Sequence, residues 1–144
     1  MRSILIATCC ALLTGSDGPE TPAKKELAKF QGSWAAASIQ IGVKKTPDED
    51  LKLFRLVIEG DVWIAKTKGE KRSKIRLDPS KSPKHLDLID VVGEKERVVR
   101  CIYELKDDTL TVCRPYMQMD APRPKKLEAT GDFVGVAVWK REKK

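Results

Sequence analysis

The sequence predicts an all-β fold, an eight-stranded antiparallel up-and-down barrel preceded by one short helix. Three observations predict it. Eight apolar-rich segments follow one another between Ser33 and Arg141, nearly all separated by tight-turn chemistry. CIYELKDDTLTVC, Cys101 to Cys113, reads as a hairpin with two alternating arms. Gly32-Ser33-Trp34 ends a helix and opens the first strand with a side chain that buries a large area.

The elements follow in order. Thr21 caps a helix, Pro22 suits its first turn, and Leu27 and Phe30 share one face before Gly32 stops it. Strands are predicted at 33–41, 53–59, 61–67, 72–78, 85–91, 97–105, 109–114 and 133–141. Their separators are Glu59-Gly60-Asp61, Lys68 to Lys71, Pro79 to Pro83, Val92 to Glu96, Lys106-Asp107-Asp108 and one long connection from Pro115 to Asp132. Such tight connections favour an up-and-down barrel over a Greek-key sandwich. Alternation turns Phe54, Leu56 and Ile58 inward, followed by Val62 and Ile64, Ile75 and Leu77, and Leu86 and Leu88. Val99, Tyr103, Leu105, Leu110 and Val112 continue the inner face, and Val134, Val136 and Val138 complete it.

A chain of 144 residues is long enough for one domain with a real core, so neither metal nor disulfides are required. No cofactor is called for. A four-residue loop at Lys106 to Thr109 sets Leu105 opposite Leu110, Tyr103 opposite Val112, and Cys113 opposite Ile102. Cys101 and Cys113 then point to opposite faces and stay unpaired. Residues 1–16 read as an export signal: Arg2, an apolar run from Ile4 to Leu13, then the small residues Thr14, Gly15 and Ser16. The run is too short to span a bilayer. Ile6-Ala7-Thr8-Cys9 also resembles a lipobox, which would make Cys9 a lipid anchor; an uncleaved run would leave the chain in the cytoplasm. Residues 17–23 form a linker, and 24–144 the single barrel domain. The favoured location is extracytoplasmic.

Lys and Arg number 28 against 21 Asp and Glu, a net charge of +7, which biases partners toward acidic surfaces. Nucleic acid is not an expected partner: the bases are dispersed, and three Trp, three Phe and two Tyr are few for base stacking. His85 is the single histidine. It shares a strand face with Asp87 and has Ser80 and Ser82 near it in sequence, but no nucleophile turn or oxyanion motif accompanies them. The expectation is a non-catalytic, monomeric binding module with no metal. Tyr103, Tyr116, Met117 and Met119 are the candidate ligand-binding residues, the last three in the one long connection at a barrel mouth. The alternative is an interaction domain whose basic rim binds an acidic protein, glycan or envelope surface.

FQGSW (Phe30 to Trp34), LDPSKSPKHLDL (Leu77 to Leu88), YELKDDTLTVC (Tyr103 to Cys113), Arg123-Pro124 and VAVWKREKK (Val136 to Lys144) stand in this order. In these motifs the chain resembles a bacterial domain family expanded in planctomycetes, whose members read LQGTW, LDPxKxPKxIDL, YELxGDTLxLC, RP and LxRxK. The similarity runs from Leu27 to Lys140. It implies a lipocalin-like fold and carries no assigned activity; the chain departs from the pattern at Asp107, where the family has Gly. A weaker likeness to lipocalins themselves implies structural roles for Gly32 and Trp34 at the barrel floor. It also implies a base packed over the tryptophan, Arg141 with Lys140 and Lys144 as rivals.

Overall fold

The computed structural model describes residues 20–116 and 120–143. Helix α1 (Pro22–Phe30) leads into strand β1 (Gly32–Ile41), the two-residue strand β2 (Lys44–Lys45) and the single-turn helix α2 (Asp48–Leu51). Seven strands follow: β3 (Arg55–Glu59), β4 (Val62–Lys66), β5 (Glu70–Asp78), β6 (Lys84–Val92), β7 (Lys95–Lys106), β8 (Thr109–Pro115) and β9 (Val134–Arg141). All pairings are antiparallel. Strands β3 to β9 pair in sequence order, and β9 returns to β1, closing an eight-stranded barrel with β2 as an outer ninth strand. This is an all-β closed barrel with a short N-terminal helix, consistent with a lipocalin-like fold. No helix among the described residues is long and apolar enough to cross a membrane.

Helix α1 starts where Thr21 Oγ1 accepts the Lys24 amide at 3.2 Å. It ends over the barrel mouth formed by the last residues of β7 and β9 and plugs it. Phe30 is fully buried and meets Tyr103 edge-on, ring centroids 5.1 Å apart. Gly32 then turns the chain into β1 at φ +116°, a conformation L side chains rarely adopt, although a Cβ there would find ordinary space 3.5 Å from Arg141.

The hairpin of β7 and β8 has the expected register, Tyr103 opposite Val112 and Ile102 opposite Cys113. Both thiols are free and buried. Cys101 points into the barrel, where burial pushes its thiol up to about 12. Cys113 faces outward, yet the connection between β8 and β9 covers it, with Glu128 carbonyl 3.5 Å from its Sγ. Arg123 ties this connection down: Nη2 donates to Asp87 at 2.7 Å and Nη1 to the Cys101 carbonyl at 2.6 Å. A hydrogen bond to a charged group contributes about 1.5 to 3 kcal/mol. Arg123→Met is therefore expected to speed alkylation of Cys113 by about tenfold or more while Cys101 stays protected. Timed alkylation with peptide mass mapping reads this, and an unchanged Cys113 rate would show that other contacts hold the segment.

Two strands face the opposite way from the alternation drawn above. In β4, Trp63 and Ala65 look into the barrel in place of Val62 and Ile64; in β9, Gly135, Ala137 and Trp139 do so in place of Val134, Val136 and Val138. In β9 the cause is fit across the barrel. A Cβ at Gly135 would lie 2.6 Å from Tyr116 Cε2 and 2.7 Å from the Gln40 carbonyl, so no larger residue fits this inward position.

Candidate functional site

The barrel is closed at one end and open at the other. At the closed end Glu26 of α1 reaches under the helix to Tyr103, whose hydroxyl donates to Oε1 at 3.1 Å, and Lys84 Nζ approaches the same oxygen at 3.0 Å. Burial pushes the Glu26 carboxyl up, but the bonds from Lys84 and Tyr103 outweigh it and hold the group below its ordinary 4.5. Trp34, fully buried, donates from Nε1 to the Phe30 carbonyl at 2.9 Å. The Arg141 guanidinium lies 4.2 Å over its ring. Arg141 also donates to the Lys29 carbonyl at 2.6 Å, to the Gln31 carbonyl, and to Asp108 at 3.0 Å. Trp34 and Arg141 thus satisfy carbonyls that the end of α1 leaves without helical partners.

At the open end, β1 pairs with β3 only from Gly32 to Ala35. A bulge between Ala36 and Ser38 bends β1 away, and its last residues pair with β2 instead. Between the diverging strands lies a cavity of about 220 Å³. Its walls are Ile39 and Ile41 of β1, Phe54, Trp63 and Ala65, Val112 of β8, and Ala137 and Trp139 of β9. Arg114 and Tyr116 complete the far wall, and Arg55, Lys66 and Thr67 form the rim. A shallower surface depression of about 630 Å³, between the β1–β2 hairpin and Asp132-Phe133, shares Ile41 and Thr46 with it. The exposed large apolar residues Val43, Leu53, Val91, Val92 and Phe133 stand on segments at this end of the strands.

The structure separates the two candidate tyrosines. Tyr116 lines the cavity, its ring 4.9 Å from the Arg114 guanidinium carbon. Burial raises its hydroxyl pKa. Tyr103 belongs to the plug at the other end, 1% exposed, and does not border the cavity. Met117 and Met119 lie outside the described residues, as do residues 1–16, whose pattern led to the export reading, and Cys9 within them. Sequence reasoning passed over Arg114, Trp63, Trp139 and Ile39. The available signal for Arg114 was its place two residues beyond Val112, on the inward parity of β8.

Two of the remaining polar candidates are engaged elsewhere. Asp87 is bound by Arg123 and by Arg76 at 2.9 Å, and the Ser80 hydroxyl donates to Asp78 at 2.5 Å. Among the described residues no group of three or more His, Cys, Asp or Glu is placed to hold a metal. In the basic β4–β5 hairpin, Lys71 pairs with Asp90 at 2.8 Å and Arg72 with Glu70 at 2.8 Å. No protein-family model, curated protein or solved structure matches this chain.

Proposed function

We propose that this protein is a non-catalytic extracytoplasmic binding module that captures a small apolar or amphipathic ligand in the open end of its barrel. The observation that carries the reading is the cavity of about 220 Å³ with aromatic and aliphatic walls. An eight-stranded barrel has room for its own side chains or one small ligand, and here the inward Ala65 and Ala137 leave part of the open end unfilled. The exposed apolar residues on segments at this end, Val43 and Phe133 among them, favour an occupant that partitions from water. The five ordered motifs support placing the chain in the planctomycete-expanded domain family, and the N-terminal pattern supports export. The basic-rim alternative draws on the same charge of +7, but part of that charge is paired with neighbouring acids.

An apolar fluorescent probe is expected to bind the native protein saturably at one site and to depend little on salt, because apolar burial is not screened. Probe binding that is absent, or that collapses between low and physiological ionic strength, would replace this reading with the basic-rim one.

A further inference from the structure

Arginine inside a barrel needs acceptors, because burying an unpaired charge costs several kcal/mol. Two arginines here keep unspent donors: the Nε atoms of Arg97 and Arg114 are buried and have no hydrogen-bond partner among the described residues. Both lie on the inward parity of their strands, Arg97 two residues before Val99 and Arg114 two after Val112. The acid nearest in register, Asp90 opposite Arg97, is already engaged by the Ser73 hydroxyl and by Lys71 at 2.8 Å. Neither arginine is within ion-pair distance of an acid among the described residues. Arg114 borders the apolar cavity, and the Tyr116 ring stacked 4.9 Å from its guanidinium carbon limits its swing. Gly135, opposite Arg114 in β9, leaves the space that lets Tyr116 take that place.

Resting on the cavity reading above, we infer that the ligand is a small amphipathic carboxylate, its tail against Trp63, Trp139 and Ile39 and its anionic head on Arg114. A carboxylate supplies the acceptor oxygens that the guanidinium fork lacks, and inside the barrel the pair is poorly screened. Among the described residues, the two guanidiniums stand against the single carboxylate of Asp90, which the mostly exposed Lys71 already pairs, so this end of the interior is positive and favours an anion over a neutral or cationic ligand. The volume is about seven waters' worth at ~30 Å³ each, so the tail is short.

The test is calorimetric titration of the full chain with octanoate and with 1-octanol, the uncharged analogue of equal length. Octanoate is expected to bind about tenfold tighter or better. Arg114→Met should remove that advantage, leaving 1-octanol affinity within about threefold, since the substitution keeps apolar bulk. Equal wild-type affinities for the two, or an octanoate affinity untouched by Arg114→Met, would overturn the anion site while leaving the cavity reading standing. If neither compound binds, both fall. Should Arg114→Met fail to fold, the wild-type comparison decides alone.

Discussion

Trp34→Ala is expected to lower the unfolding free energy by about 3 to 5 kcal/mol, the usual cost of emptying a buried aromatic site. Trp34 has no exposed surface, lies opposite Leu56 on one side and Arg141 on the other, and holds the end of α1 through the Phe30 carbonyl. Its loss removes a wall, a stacked cation and a hydrogen bond together. Trp34→Phe keeps most of the volume and should cost about half as much. Circular dichroism across a denaturant series reads both variants. An unchanged midpoint for the alanine variant would show that the floor does not depend on this side chain.

Arg141→Met should cost about 2 to 4 kcal/mol, from the loss of donors to two backbone carbonyls and to Asp108, together with the stacking on Trp34. Because the methionine keeps the apolar stem, the loss measures the guanidinium. Arg141→Lys should recover only part of it, since an ammonium cannot span both carbonyls as a planar fork does. If Arg141→Lys matches the parent in thermal midpoint, charge alone is what the floor requires. Both variants leave the far end of the barrel intact, so ligand binding measured well below their midpoints should be unaltered.

How far the sequence could be read depended on whether alternation was unambiguous. Tyr103-Glu104-Leu105 and Leu110-Thr111-Val112 each have one apolar face, so only one register buries both arms, and that register is the observed one. Val62 to Ala65 and Val134 to Trp139 have apolar residues on both faces, and periodicity cannot choose between them. There the choice falls to three-dimensional fit, the need for a residue without a side chain beneath Tyr116 and small ones beside Ile39. Helix α2 had a readable start, a proline followed by the acidic turn Asp48-Glu49-Asp50, but its single turn is too short for a periodic signal.

The candidate site was legible only at its edge. Tyr116 stood out as an aromatic in the long connection, whereas Tyr103, equally prominent in the hairpin, turned out to sit beneath the helix plug. Which end of a barrel is closed depends on where α1 docks and where β1 parts from β3, and both are long-range events. The bulge between Ala36 and Ser38 lies in Ala35-Ala36-Ala37, a run without any alternation to interrupt.

On the proposed reading, one end of this barrel is sealed structure and the other is a receiving cavity. Amide chemical-shift mapping during titration with octanoate tests it directly, because it reports both ends at once. Saturable shifts are expected at Ile39, Thr46, Ala65, Val112 and Trp139, with Glu26, Trp34 and Tyr103 unmoved. Shifts confined to the basic β4–β5 hairpin, or concentrated around Glu26 and Tyr103, would contradict it.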